Sequence, residues 1–133
     1  MSEHRYIPVQ EVITHNLHRI TPLATVDQAM AMMREHGVSS LVVDRRDEKD
    51  EFGLLVVSDI ARDVIAENRA PGRVNVYEIM SKPVLNLAAE MDIRYAVRLL
   101  VKFGLSRALV VDHDRHPVGI VTLRDMVLRY SGD

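Results

Sequence analysis

The chain carries one pattern twice. Residues 26–37 read VDQAMAMMREHG and residues 93–104 read IRYAVRLLVKFG. Gly37 and Gly104 stand 67 positions apart, as do Ala29 and Ala96, Val9 and Val76, and Glu11 and Glu78. Each of these glycines precedes an apolar residue and a serine, Val38-Ser39 and Leu105-Ser106, and a β-rich stretch follows. Gly53 and Gly119 open two further matching runs that end at Asp59 and Asp125, each pair 66 apart. Two copies share 133 residues. Roughly 66 residues make a marginal core on their own, and a solenoid normally needs at least three repeats. The duplication therefore predicts one module of two pseudo-twofold halves packed face to face, with paired clefts at the interface between copies.

Local signals place the elements. Thr25-Val26-Asp27-Gln28 reads as a capping box opening a helix, with Ala29, Met30 and Met33 on its apolar stripe and Gly37 ending it. Leu41-Val42-Val43 reads as a buried strand. Arg45 to Glu51 is seven consecutive charged residues, which suits an exposed turn because desolvating charges is costly. Gly53 to Val57 reads as the next strand, and Ser58-Asp59 opens a helix ending near Asn68. Pro71-Gly72 reads as the joint between halves. The second copy repeats the order. Asp92 caps a helix carrying Ala96, Leu99, Leu100 and Phe103; Ala108 to Val111 and Val118 to Val121 are strands around a turn at His113 to Pro117; Thr122 begins the last helix. Leu17 to Ile20 and Val84 to Leu87 supply a short apolar segment before each first helix. Each half is β-α-β-β-α, an α/β (α+β) class. The unbroken apolar strands predict sheets covered on both faces, hence two halves packed sheet to sheet.

Two such copies, each with an A-x(6–7)-G-h-S segment and a G-h-h-x-x-x-D segment (h apolar), resemble a tandem pair of cystathionine-β-synthase (CBS) domains. The resemblance runs from about Pro8 to Tyr130, with motifs at 8–68 and 74–130. The second copy matches better, through Gly104-Leu105-Ser106-Arg107, Val110-Val111-Asp112 and Gly119-Ile120-Val121-Thr122-Leu123-Arg124-Asp125. The resemblance implies a regulatory, non-catalytic module that binds an adenosine-containing ligand (AMP, ADP, ATP, NAD or S-adenosylmethionine) between its halves. Stand-alone pairs of this family form disc-like homodimers.

Thr122 and Asp125 sit at a strand-to-helix junction and admit two compatible readings. One is a cap, with Thr122 as N-cap and Asp125 at the third helical position, favoured by the helix dipole. The other is a ribose and phosphate site, in which a carboxylate accepts from both ribose hydroxyls and a hydroxyl with helix-start N–H groups holds phosphate. In the first copy Val56 stands where Thr122 stands, while the aspartate survives as Asp59 and Ser58 offers a shifted cap. Arg107, at the inner edge of its sheet, is a surface arginine or a phosphate ligand, its fork suiting phosphate geometry; the first copy has Ser40 there. The resemblance thus implies one complete cleft built on Asp125, with Thr122, Arg107 and Ile120, and completed from the opposite half by Leu17, His18, Val38, Ser39 and Ser40 around the adenine. It implies a degenerate cleft built on Asp59 and Leu54, with Val84, Leu85, Leu105 and Ser106. Family motifs often carry a proline before the second strand; Val42 and Leu109 stand there in this chain.

Composition excludes several classes. With no cysteine, disulfides and thiol catalysis are absent and zinc loses its favoured ligand. His15/His18 and His113/His116 have i, i+3 spacing in loops, unlike a zinc helix, so no metal is expected. There is no G-x-S-x-G elbow and no G-x-x-x-x-G-K loop, so no catalytic residue is assigned. A net charge of −2 and 5% aromatics argue against a nucleic-acid binder. No long apolar run or signal-like start is present, so a cytoplasmic, non-membrane protein is expected. Met30 and Met33 read as core filling; Met32, Met33, Leu99, Leu100 and Phe103 are candidates for a dimer contact. No effector domain is visible, so the expected output passes to a partner protein. The alternative is a ligand-independent interaction module.

Overall fold

The computed structural model describes residues 5–14, 17–82 and 84–131. The chain forms two compact units, His18–Val84 and a second made of Met1–Leu17 with Leu85–Asp133.

In the His18–Val84 unit, β1 (Arg19–Ile20), α1 (Val26–His36), β2 (Ser40–Val43), β3 (Gly53–Val56) and α2 (Val57–Ile60) follow in order. The sheet order is β1-β2-β3, with β1 parallel and β3 antiparallel to β2. Thr25 and Gln28 exchange both bonds of the expected capping box, at 2.9 and 3.2 Å. Gly37 closes α1 at φ 63°, where a side chain would be strained, and Val38 N–H reaches back to Met33 O. Val26, Ala29 and Met33 form the buried stripe. Met30 and Met32 pack partly buried against the same core.

The second unit repeats this construction with β4 (Asn86–Ala88), α4 (Ile93–Phe103), β5 (Arg107–Val111), β6 (Pro117–Thr122) and α5 (Leu123–Ser131). The sheet order is β4-β5-β6. Ile93, Ala96 and Leu100 are the buried stripe, each 67 positions after its counterpart in α1. Gly104 closes α4 at φ 64°. In both sheets the central strand is buried nearly throughout. Alternation puts Leu41 and Val43 in the core of the first unit while Val42, equally buried, faces the other way.

The compact units are not the sequence copies. The segment leading each copy is exchanged into the other. Pro8 bridges Asp92 and Thr14 bridges Ile120; 67 residues on, Asn75 bridges Thr25 and Ser81 bridges Leu54. Ile7 and Val9 are buried in the core containing α4, while Val76 and Ile79 of α3 (Val76–Ile79) are buried in the core containing α1. The crossing segments lie so close that Gly119 and Gly53 have no room for a Cβ. One at Gly119 would fall 2.8 Å from Ile13 and 2.9 Å from Thr14 O, and one at Gly53 would fall 2.9 Å from Met80 Sδ.

Several expectations are corrected. Pro71-Gly72 lies between the two copies, but the compact units part elsewhere: Pro71–Arg73 is a single 3-10 turn, after which Val74 and Val76 bury themselves, Val26 N–H donating to Val74 O and Val76 N–H to Ala24 O. The division falls after Leu17 and after Val84. Asp92 flanks α4 without a side-chain cap bond. Its buried carboxylate instead accepts from Ile7 N–H at 3.3 Å, holding the incoming segment. Val57 belongs to α2, not β3, because its N–H is drawn to Ser39 O at 3.0 Å and its side chain turns to solvent. The helix ends sooner than Asn68: α2 widens into a π-helical turn, Ala61–Ile65. β6 begins at Pro117 rather than Val118. The charged run 45–51 is a turn, yet only 8% of the Asp50 side chain within it is exposed, since Lys82 at 2.6 Å and Arg46 at 3.2 Å offset its desolvation. Phe103 is 55% exposed on α4, one position short of the closing glycine, so it contributes no core.

Candidate functional site

The β6–α5 junction assembles the best-formed group of candidate residues. Arg107 opens β5 and Thr122 closes β6, and the two are directly paired across the antiparallel ladder. Cross-strand partners on one face have side chains about 5 Å apart, so register alone brings guanidinium and hydroxyl together. Leu123 N–H donates to Ser106 O at 2.8 Å, which ties the helix start to the loop after Gly104. Asp125 N–H donates to Thr122 Oγ1 at 3.1 Å, so Thr122 is the N-cap of α5. The hydroxyl spends an acceptor lone pair on that bond and keeps its proton to donate elsewhere.

Ser106, Arg107, Thr122 and Arg124 line a cavity of about 510 Å³, walled by Leu123, Val127 and Leu128. Two cations and two hydroxyls on one concave surface suit an anion. The Asp125 side chain, which is not among the lining residues, is 36% exposed, and Arg124 lies 3.6 Å from it. Ser106, a candidate for the degenerate cleft, also lines this cavity beside Arg107 and Thr122. Arg124 is the residue that sequence reasoning passed over; its only signal was its place between Thr122 and Asp125.

Asp59 is built differently. Its carboxylate is 6% exposed, one oxygen accepting from Val56 N–H at 3.0 Å and the other from Arg62 at 3.0 Å. Both oxygens hold the turn into α2 together. Val56, paired with Ser40 across the ladder, supplies no hydroxyl, and Ser58 makes no cap because the helix already starts at Val57.

The remaining candidates divide between the units. Leu17, Leu85, Leu105 and Ile120 fall with Asp125; His18, Val38, Ser39, Ser40, Leu54 and Val84 fall with Asp59. His18 stacks on His36 of α1, ring centroids 3.9 Å apart, and its carbonyl accepts from Val42 N–H. Leu85 repeats that bond to Leu109 N–H. Ile120 and Leu54 are buried, with their backbones engaged by the crossing segments: Ile120 O accepts from Thr14 N–H, and Leu54 pairs both ways with Ser81. They can supply apolar wall but little backbone recognition.

His15 lies outside the described residues. In the turn after β5, Asp112 accepts from the N–H groups of Asp114 and His116, each at 2.9 Å, which holds its carboxyl below the usual range. Among the described residues Asp112, Asp114 and His116 are one exposed group whose ligand atoms lie within 4.8 Å of one another, and hydrogen bonding within the turn accounts for their grouping. No helix among the described residues is long and apolar enough to cross a membrane.

Duplicated three-stranded sheets, exchanged leading segments and a Thr-x-x-Asp helix start define a tandem, internally paired module. The family model for the CBS domain matches residues 9–66 and 76–132, and the chain belongs to that family. It is 33% identical over 124 residues to an uncharacterized protein of Methanopyrus kandleri, a match covering 92% of this chain and 62% of that protein. A hexameric CBS-CP12 protein from bloom-forming cyanobacteria is 31% identical with a TM-score of 0.88, over 94% of this chain and 72% of that one. The cytosolic domain of the Mg²⁺ channel MgtE, solved in complex with ATP, is 25% identical with a TM-score of 0.73, over 92% of this chain and 49% of that one. The chain thus spans under two thirds of the curated relative and about half of the channel domain.

Proposed function

We propose that the chain is a sensor for an adenosine-containing ligand, held at the Asp125 site and read by a partner protein. The observation that carries this is the cross-strand pair Arg107–Thr122 beside a half-exposed Asp125. Asp125 accepts from the ribose hydroxyls. Thr122 donates its free proton to phosphate, and Arg107 and Arg124 neutralise it. Leu17, His18, Val38, Ser39 and Ser40 are the proposed adenine neighbours, and Ile120 an apolar wall. The ATP complex of the channel domain supports a nucleotide as the ligand class. Asp59, with both oxygens engaged, anchors a weaker cleft with Leu54, Val84, Leu85, Leu105 and Ser106, or none. The proposed setting is the cytoplasm, where such ligands are found.

Tyr95, Val101 and Phe103 on α4 are about half exposed or more. That surface supports a homodimer, and it also favours the second reading, an interaction module that needs no ligand. Isothermal titration with AMP, ADP, ATP, NAD and S-adenosylmethionine separates the two. The sensor reading predicts that one ligand binds tighter than about 1 mM, that Arg107→Gln weakens a phosphorylated ligand at least about tenfold, and that Thr122→Ser, which keeps the hydroxyl, binds nearly as well. No binding by any of the five leaves the interaction module.

A further inference from the structure

A second concavity of the His18–Val84 unit lies away from Asp59. It is a cavity of about 620 Å³ lying beyond the far ends of β1 and β2, whereas the proposed adenine neighbours Val38 to Ser40 lie at the start of β2. Ser40 and Asp44 are separated by about 13 Å of strand. Its volume falls in the range of sites that enclose small organic molecules.

Its walls are of two kinds. Pro22, Leu23, Tyr77 and Met80 form an apolar side, on which Leu23 is 73% and Tyr77 52% exposed. Arg45, Arg46 and Lys82 form the other, with Asp44 as the lone carboxylate, and Asp44 is already held by Arg19 at 2.6 Å. Lys82 and Arg46 share Asp50. Among the described residues Arg45 is paired with no carboxylate: its guanidinium lies over the Phe52 ring at 5.0 Å and donates to Glu48 O at 3.5 Å. A partly exposed cation over an aromatic face, with no carboxylate partner among the described residues, is available to an anion.

The internal duplication shows that the fold does not require this chemistry. Sixty-seven positions from Leu23 and Arg45 stand Glu90 and Asp112, and 67 before Tyr77 stands Gln10. In the other unit Glu90, Asp112 and Gln10 take the places of Leu23, Arg45 and Tyr77, so these three side chains are a feature of one unit only. We infer that this cavity is a second ligand site, for a small aromatic anion whose ring lies against Tyr77 and Met80 and whose carboxylate or phosphate is taken by Arg45, with Lys82 and Arg46 shared between it and Asp50. Lys82 and its neighbour Ser81, which pairs with Leu54, lie just before the end of the unit at Val84.

The test is an amide NMR titration of the full chain with phenyl phosphate, phenylacetate, inorganic phosphate and benzyl alcohol. Saturable shifts at Arg45, Tyr77 and Lys82 are expected with one or both aromatic anions, with phenyl phosphate and phenylacetate deciding between the two acid groups. Inorganic phosphate and benzyl alcohol should bind at least tenfold more weakly. Arg45→Gln, at a half-buried position, and Tyr77→Gln, at an exposed one, should each weaken binding at least fivefold, while Asp125→Ala leaves it unchanged; that last variant separates this site from the adenosine site. Absence of saturable shifts there, or binding indifferent to both glutamine variants, would overturn the proposal.

Discussion

Single side chains carry two jobs in this protein, and Thr122 is the plainest case. Its oxygen caps α5 by accepting from Asp125 N–H, while its proton remains available to a ligand. Thr122→Val removes both, and should lower stability by about 1 kcal/mol, the usual worth of an N-cap, as read by urea denaturation; Thr122→Ser should recover most of it. The sequence told that cap correctly. It could not tell that Asp59 spends both oxygens on Val56 and Arg62, because Arg62 comes into range only when the helix turns. Asp50 is a second such residue. A hydrogen bond from Lys82, reinforced by Arg46, holds its carboxyl well below the usual range. Its folded-state pKa lies below the unfolded one, so the contribution is whole above the ordinary value of about 3.9 and is lost as pH falls through the folded value. Wild type should therefore exceed Asp50→Asn in urea midpoint at about pH 7, with the gap narrowing below about pH 4. A gap that stayed constant with pH would contradict the Lys82–Asp50 bond.

Between elements, the controlling features are register and close approach. Arg107 meets Thr122, and Ser40 meets Val56, because the strands pair in the same way in both units. Helix stops, the capping box and the central strands were legible, since each rests on local chemistry: a glycine at positive φ, a Thr-x-x-Gln box, a run of β-branched residues. The ends of β3 and α2 were not, because Val57 is set by a long-range bond to Ser39. Gly53 and Gly119 were legible as repeat markers, though not for their reason, which is the crossing segment against each. That segment predicts unequal costs. Gly119→Ala meets Ile13 and a backbone oxygen and should cost about 1–3 kcal/mol by overpacking. Gly53→Ala meets chiefly the mobile end of Met80 and should cost less, both read from urea midpoints. Equal costs would mean that the two crossings are not held alike.

At the scale of the molecule, the duplication is a physical arrangement as well as a sequence pattern. Each copy lends its leading segment to the other copy's core, which is why Val9 and Val76, 67 apart, are both fully buried. The copy boundaries read from sequence follow the motifs; the exchange was not legible, because a repeat says nothing about which core its first ten residues join. The same duplication separates what the fold needs from what one compact unit alone carries: Thr122 and Arg107 in one, the Arg45–Tyr77 cavity in the other. The central claim is that the first of these sets holds an adenosine ligand. Thermal unfolding of wild type and Asp125→Ala with AMP, ADP, ATP, NAD and S-adenosylmethionine tests it most directly. A ligand at about 100 times its dissociation constant stabilises by about 2.7 kcal/mol. The account predicts a clear upward shift in Tm for one of them, abolished in Asp125→Ala; no shift in wild type with any ligand, or a shift that survives the substitution undiminished, would contradict it.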